Sequence, residues 1–160
     1  MTVDVRTQAE ALVIEPARRE DLPAIVAMFA ADPLGGHGDT VDPAALDAYK
    51  AGFDAITASS ATELFVARLD GRVVATFQLI VVGGIAGRGA CRAIVEGVQV
   101  APDLRGRGIG AAVVAHAEAE ARARGAATVA LTSNAARTDA HRFYARLGFA
   151  RTHVGFKKPL

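Results

Sequence analysis

The sequence RGRGIGA at residues 105–111 combines residue types that suit the binding of phosphate groups. Glycines let the backbone approach a ligand closely because they carry no Cβ, and backbone N–H groups at the start of a helix attract anions. The glycines of this stretch stand just ahead of an alanine-rich helical segment, and Arg105 and Arg107 add positive charge. The pattern predicts a phosphate-binding loop; the alternative is a glycine-rich turn with solvated arginines.

The loop also fits G-x-G-x-x-A, the fingerprint of dinucleotide-binding enzymes, from Gly106 to Ala111. In that fold the glycines follow a strand almost directly, and an acidic residue ends the next strand. Here APDLR separates Val100 from Gly106, and the next strand ends in Thr-Ser-Asn at 132–134. Because only residues 112–160 remain to complete a doubly wound sheet, the context disfavours a dinucleotide. A nucleoside triphosphate P-loop is excluded, since the chain has no Gly-Lys-Ser/Thr.

Hydrophobic spacing and turn residues predict the elements around this loop. Asp21 and Asp42 are expected to cap two helices, and Asp70-Gly71 predicts a tight hairpin of two antiparallel strands. Gly125 and Gly148 are expected to end two later helices. The predicted order is a strand, two helices, a β-meander, a helix, a strand, a helix and a last strand or hairpin. The predicted strands lie at 12–17, 63–69, 72–82, 91–100, 127–133 and 149–160, and the two later helices at 108–124 and 138–147.

Composition limits the classes of protein and partner. The chain has 160 residues, 51% hydrophobic and 22% charged, which predicts one globular domain at 12–160 after a mobile leader at 1–11. A net charge of +1 predicts no nucleic-acid partner. The lone Cys91 excludes an internal disulfide, and no Cys/His spacing predicts a metal. Without a signal-peptide pattern or a run of about 20 apolar residues, no membrane contact is expected, and the cytoplasm is the expected location.

Two longer segments resemble the GNAT superfamily of acyl-CoA N-acetyltransferases. The run IVEGVQVAPDLRGRGIGAAVVAHAEAEARARG is similar to that superfamily's strand, pyrophosphate loop and helix, with R-x-x-G-x-G as its acyl-CoA motif. The run TSNAARTDAHRFYARLGF is similar to the following strand-and-helix segment. The last 30 residues further resemble small bacterial acetyltransferases that include the aminoalkylphosphonate N-acetyltransferases, whereas residues 32–60 match weakly.

This resemblance implies an α+β GNAT-like fold. It consists of a central, mostly antiparallel sheet of about six to seven strands, splayed at a coenzyme A cleft, with about four helices. It also implies acetyl-CoA as cosubstrate, with the backbone of the strand before the loop pairing with the pantetheine arm. Asn134 is expected to complete the cofactor cleft, with a simple turn residue as the alternative. The residues assigned to the cofactor are Val98, Gln99, Val100, Arg105, Gly106, Arg107, Gly108, Ile109, Gly110, Ala111 and Asn134.

Glu96 is the candidate general base. Alkylamines are mostly protonated at neutral pH, so a group that removes a proton promotes attack on the thioester. A strict period of two places Glu96 on one strand face with Ile94, Val98 and Val100, a carboxylate among apolar side chains. The resemblance favours a base on this strand, and the alternative is a structural ion pair with Arg92.

Tyr144 is the candidate general acid, because the resemblance places that role in FYARLGF. A proton donor would assist the departure of the coenzyme A thiolate, although a thiol with a pKa of about 8.5 leaves tolerably without one. The alternative is a structural role, since Ala140, Phe143, Tyr144 and Leu147 form an apolar helical stripe.

The sequence indicates fewer residues for binding the acceptor than for binding the cofactor. His37 and Asp39 lie in the loop between the first two helices, where such enzymes contact the acceptor, and a mobile polar loop is the alternative. An anionic acceptor would need cations, for which Arg92 is a candidate together with Arg88 and Arg137. The leading hypothesis is acetylation of a primary amine on a small molecule: an amino acid, an aminoalkylphosphonate or a drug-like amine. Acetylation of a protein N-terminus or other macromolecular amine, and a non-catalytic coenzyme A sensor, stay open, as does a homodimer.

Overall fold

A five-stranded mixed sheet forms the centre of the protein in the computed structural model, which describes residues 12–35 and 37–160. The strands lie side by side in chain order. The first four are antiparallel neighbours, and the fifth is parallel to the fourth. The leader expected at 1–11 lies outside the described residues. The strands are β1 (Leu12–Pro16), β2 (Thr62–Leu69), β3 (Arg72–Val82), β4 (Cys91–Val100) and β5 (Ala126–Ala130).

Four longer helices match the predicted ones closely: α1 (Leu22–Ala30), α2 (Leu46–Ala58), α3 (Ile109–Ala123) and α4 (Thr138–Arg146). Asp42 caps the turn that leads into α2, its side chain accepting a hydrogen bond from the N–H of Ala44 at 2.9 Å. Gly125 and Gly148 follow α3 and α4 with φ of +79° and +91°, the left-handed conformation that ends helices. These boundaries confirm the turn and cap signals of the sequence.

The hairpin between β2 and β3 also follows the prediction. Asp70 and Gly71 both have positive φ, at +49° and +81°, as a type I′ turn requires. Asp21 behaves differently from expectation, because its carboxylate accepts hydrogen bonds from the Arg68 side chain and from the Arg18 N–H instead of capping α1. The long-range ion pair satisfies the buried carboxylate and fastens the start of α1 to β2.

The sheet has fewer strands than the predicted six to seven. Residues 149–160, expected to form a last strand or hairpin, form no strand, and the side chains of residues 150–160 are exposed. A tight turn from Thr152 N–H to the Ala150 carbonyl breaks the extended path, and Pro159 lacks an N–H that a sheet could use. The fold class is nevertheless the predicted α+β arrangement.

The face of the sheet against α3 holds the main core. Phe65 of β2 and Phe77 of β3 stack with ring centroids 4.8 Å apart, and His116 of α3 packs edge-on against both rings. Val113 and Ala117 are fully buried on the same helix, at the spacing of one helical face. This packing fixes α3, and therefore the loop that precedes it, on the sheet.

Candidate active site

The sheet splits where β4 and β5 diverge. Their parallel pairing runs only from Cys91 to Ile94 of β4, while β4 itself continues to Val100. On its other side β4 remains paired to β3 as far as Val100. The last residues of β4, which include the Val98, Gln99 and Val100 that the sequence assigned to the cofactor, are therefore not paired to β5 on the side of the opening. Such an edge is suited to hydrogen bonding with an extended ligand.

The loop at 105–108 leads directly from this edge into α3. Gly106 and Gly108 take φ of +75° and +83°, and Gly108 is the residue that begins the helix. The first helical bond runs from the Ala112 N–H to the Gly108 carbonyl, so the N–H groups of Ile109, Gly110 and Ala111 have no partner among the described residues. These donors at a helix N-terminus form the kind of backbone concavity that binds phosphates.

The two arginines of the loop differ in how firmly they are held. The Nε of Arg105 donates to the Val100 carbonyl at 3.2 Å, which fixes its side chain against the end of β4. Arg107 is exposed and makes no side-chain hydrogen bond with a described residue. The turn just before the loop is fastened by Asp103, which accepts two hydrogen bonds from Arg72 at 2.8 and 2.9 Å. Arg72 thereby lowers the pKa of the Asp103 carboxyl.

Helix α4 reaches the start of α3 through Phe143. A Cβ added to Gly110 would lie 3.2 Å from the Phe143 ring and 3.8 Å from a methyl group of Val100. Glycine is therefore the residue that lets α4 approach this close. The contact places α4, which carries Tyr144, at the opening between β4 and β5.

A β-bulge in β4 overturns the predicted alternation around Glu96. Glu96 pairs with Gln78 of β3 and Gln99 pairs with Thr76, so two residues of β4, Gly97 and Val98, stand opposite Phe77. Gly97 has φ of +59°, as bulges of this kind require. Because of the extra residue, the side chains after Gly97 lie on the opposite face from the one that strict alternation predicts. Glu96 therefore shares its face with Ile94 and Gln99. The valines at 98 and 100 lie on the other face with Val95 and pack against the main core.

The Glu96 carboxylate is exposed at this bulge, and it makes no ion pair with Arg92 or with any other described residue. Its neighbour Gly97 contacts α1, since a Cβ there would lie 3.1 Å from the ring of Phe29. Glu96 is thus held next to α1 by the backbone, with its charge directed away from any structural partner in the described part of the chain.

Tyr144 is half-buried between two aromatic rings, those of Phe143 at 5.0 Å and Phe149 at 5.7 Å between centroids. Burial raises the pKa of the Tyr144 hydroxyl, because it disfavours the phenolate, and the positive charge of Arg137 opposes this in part. The four residues of the predicted apolar stripe of α4 are all half-buried and none is fully buried, so a structural role for Tyr144 stays open.

The loop after α1 bounds a small cavity of about 240 Å³. His37 and Asp39 both line it, as does Phe29, the side chain that contacts Gly97. Asp39 accepts a hydrogen bond from the Tyr49 hydroxyl at 3.0 Å. Arg92, the remaining predicted substrate residue, is exposed on the Glu96 face of β4 but is not among the residues around this cavity.

Asn134 organises the turn before α4. Its Oδ1 accepts a hydrogen bond from the Ala136 N–H at 2.9 Å, and its carbonyl oxygen contacts His141 Nε2. This geometry matches the turn role weighed for Asn134 and leaves its amide nitrogen for other contacts. Its assignment to the cofactor stays a prediction.

Sequence reasoning missed the role of Asp32. Its buried carboxylate accepts hydrogen bonds from Gln99 Nε2 at 2.7 Å and from Arg137 Nη2 at 2.6 Å. The sequence separation is 67 residues in one case and 105 in the other, so no local pattern could reveal the contacts. Gln99, predicted for its backbone, therefore also acts through its side chain.

Comparison with known proteins identifies the family. The sequence model of the acetyltransferase (GNAT) family matches residues 23–149, most of the chain. The protein belongs to this family. A curated relative, the aminoalkylphosphonate N-acetyltransferase of Salmonella typhimurium strain LT2, is 36% identical over 66 residues, which cover 41% of this chain and 43% of that enzyme. The match thus spans less than half of the relative's length.

Two solved structures illustrate the similarity of fold. A transcriptional regulator from Bacillus halodurans C-125 is 33% identical, with a TM-score of 0.89 over 93% of this chain and 99% of that one. The aminoglycoside N-acetyltransferase AAC(6')-Iy in complex with CoA is 20% identical, with a TM-score of 0.75 over 92% of this chain and 94% of that one. The second likeness concerns the fold alone.

By family this chain is a GNAT acetyltransferase, for which acetyl-CoA is the expected cosubstrate. The left-handed glycines and free helix N–H groups of the loop fit the pyrophosphate of such a cosubstrate. Within residues 12–35 and 37–160, no three His, Cys, Asp or Glu side chains come together as a metal site. In the same ranges no helix is long and apolar enough to cross a membrane.

Proposed function

We propose that this enzyme acetylates the primary amine of a small molecule, with Glu96 as general base and Tyr144 as general acid. The observation that carries the proposal is the position of Glu96. Glu96 is exposed and comes just before the bulge residue Gly97. Gly97 contacts Phe29, and Phe29 lines the cavity after α1. The cavity volume of about 240 Å³ lies below the usual range for drug-sized ligands, which favours a small acceptor group.

Glu96 suits the role of base because no described cation neutralises it. A carboxylate in a structural ion pair would be a poor proton acceptor, since the paired cation stabilises its charged form. At the bulge, Glu96 can accept a proton from the acceptor ammonium, directly or through one water molecule. The amine is then a nucleophile for the thioester carbon that acetyl-CoA supplies.

Tyr144 suits the role of acid because its hydroxyl keeps its proton. Burial raises the pKa of Tyr144 above the ordinary value, so the phenol is fully protonated at neutral pH. Its position on α4, next to the Phe143 that contacts Gly110, supports a role at the sulfur end of the cosubstrate. The hydroxyl would donate its proton to the leaving thiolate sulfur.

The backbone of β4 is proposed to bind and polarise the thioester. Val98, Gln99 and Val100 lie in the stretch of β4 that is not paired to β5, so backbone groups of this stretch that point away from β3 can bind the pantetheine arm. The Val98 N–H is the proposed donor to the thioester oxygen, which develops negative charge in the transition state. The remaining proposed contacts are those of the loop from Arg105 to Ala111 and of Asn134, with His37, Asp39 and Arg92 on the acceptor side.

The test combines calorimetric titration with acetyl-CoA and a thiol-release assay against a panel of amines. The panel should include amino acids, aminoalkylphosphonates, aminoglycosides and peptides with free N-termini. We expect binding of acetyl-CoA and turnover of at least one small amine, with the acetylated product identified by mass spectrometry. Turnover of peptides alone would show that the acceptor is a macromolecular amine and not a small molecule. Absence of acetyl-CoA binding at millimolar concentration would refute the proposal.

A further inference from the structure

The carboxylate of Asp32 joins three segments that the sheet itself does not connect. Asp32 follows α1, Gln99 lies on the part of β4 that is not paired to β5, and Arg137 precedes α4 on the β5 side of the opening. The Asp32 side chain is only 7% exposed. Its Oδ2 accepts the hydrogen bonds from Gln99 and Arg137, while its Oδ1 accepts one from the Leu34 N–H at 3.1 Å.

The charge state of Asp32 makes this junction strong at neutral pH. Burial by itself raises the pKa of the carboxyl, but the hydrogen bonds from Arg137, Gln99 and the Leu34 N–H outweigh it and lower the pKa below the ordinary value. Hydrogen bonds to an ionised group are roughly twice as strong as neutral ones. An ionised Asp32 therefore holds a cation and an amide on opposite sides of the split in the sheet.

The junction lies at the acceptor side of the proposed site. Asp32 lines the cavity after α1 together with Phe29, Pro33 and His37. We propose that Asp32 is a positioning residue that fixes the α1–α2 loop against Gln99 and Arg137 and thereby sets the affinity for the acceptor amine. The inference rests on the proposed function, and it concerns the acceptor and not the binding of acetyl-CoA.

Through Arg137, the Asp32 junction also concerns Tyr144, the proposed general acid. Burial raises the pKa of Tyr144, and the positive charge of Arg137 opposes that rise in part. Asp32 holds the guanidinium through one Nη2 donor at 2.6 Å. Removal of that bond frees the Arg137 side chain to move, so a substitution of Asp32 also affects the far side of the opening.

The test is Asp32→Asn, which keeps the side-chain shape but removes the charge. We expect the KM for the acceptor to rise about tenfold or more, while the calorimetric Kd for acetyl-CoA changes less than twofold. Asp54→Asn is the matched control, because Asp54 also forms a 2.6 Å ion pair, with Arg19, but an exposed one outside the cavity. It should leave both constants unchanged.

Arg137→Gln tests the other partner in case Asp32→Asn folds poorly. The double variant should raise the acceptor KM no further than the larger of the single effects, since both substitutions remove one interaction. Additive effects, an unchanged acceptor KM, or an equal loss of acetyl-CoA affinity would overturn the role of Asp32.

Hydrogen exchange separates failure of this inference from failure of the proposed function. In Asp32→Asn, peptides covering 25–35 and 134–141 should exchange faster than in the wild type, and Asp54→Asn should leave them unchanged. Wild-type protein without turnover on any small amine would refute the proposed function, and the acceptor role with it. Unchanged exchange in Asp32→Asn would refute the positioning role even if the wild type is active.

Discussion

The two sides of the candidate site are built from different kinds of chemistry. The loop before α3 uses backbone N–H groups and left-handed glycines within a few consecutive residues. The proposed acceptor side uses the side chains of Asp32, Gln99 and Arg137, which come from three distant segments. A backbone-built site tolerates exchange of its exposed side chains but not of its glycines. A site built from side chains is sensitive to the loss of a single carboxylate.

The largest expected effect is that of Glu96→Gln. Loss of the base should lower kcat by about 100-fold or more at neutral pH, the usual range for general base catalysis. The Kd for acetyl-CoA should stay unchanged in a calorimetric titration. Raising the pH toward the pKa of the acceptor amine should restore part of the activity, because more amine is then neutral.

Glu20→Gln is the control for that variant, since Glu20 is an exposed glutamate just before α1. It should retain wild-type kcat. Equal activity of Glu96→Gln and wild type across the pH range would remove Glu96 from the mechanism and weaken the contrast between the two sides.

Tyr144→Phe should have the next largest effect, lowering kcat about tenfold with little change in either KM. Thiolate departure is possible without an acid, so the loss is smaller than for the base. Because the pKa of Tyr144 is raised, deprotonation of this group should cause no loss of wild-type activity below about pH 10.

The other tyrosine gives the matched comparison in steady-state kinetics. Tyr49→Phe removes the hydroxyl that donates to Asp39, and it should raise the acceptor KM several-fold while leaving kcat nearly unchanged. If both tyrosine variants changed the same constant, the assignment of Tyr144 to the chemical step would be wrong.

On the cofactor side, Gly106→Ala should weaken acetyl-CoA binding about tenfold, whereas Arg107→Ala should weaken it only about threefold. A Cβ on Gly106 meets no atom within 4 Å, so the cost is the strain of a positive φ, about 1–2 kcal/mol. The exposed Arg107 contributes a screened charge, and its effect should shrink as salt increases. A larger effect for Arg107→Ala in calorimetry would mean that side chains dominate this side too.

The smallest and most specific effect concerns stability and pH. Asp32→Asn should lower the free energy of unfolding at pH 7 by about 1–3 kcal/mol, the range for hydrogen bonds to a buried charge. Since the folded-state pKa of Asp32 is lowered, this stabilisation is fully present above about pH 4 and is lost as the pH falls through the folded-state pKa. Urea unfolding of both proteins at pH 7 and pH 3 checks this; a difference that persists undiminished at pH 3 would contradict it.

Local rules predicted much of the fold. The Asp70-Gly71 hairpin, the Asp42 cap and the start of α3 at Gly108 each depend on a few consecutive residues. The glycine spacing of the predicted phosphate loop is local as well, which is why the sequence alone could suggest the cofactor side.

The failures were of two kinds. Gly97 inside a predicted strand was a visible signal of a bulge, and reading it would have corrected the face assigned to Glu96. Asp32 carried no such signal, because its partners are set by the packing of α1, β4 and α4. Residues 149–160 were expected to continue the sheet, but a strand needs a partner edge as well as apolar residues, and no pattern within one segment supplies it.

The strand order of the sheet has a consequence for how the enzyme is made. Because the strands lie in chain order, each new strand can join the edge left by the previous one as the polypeptide leaves the ribosome. No strand has to insert between two that are already paired. The contact between Asp32 and Arg137 spans 105 residues and can close only after Arg137 has been synthesised. The nascent chain can therefore build its sheet early, while its acceptor side is assembled among the last steps of folding.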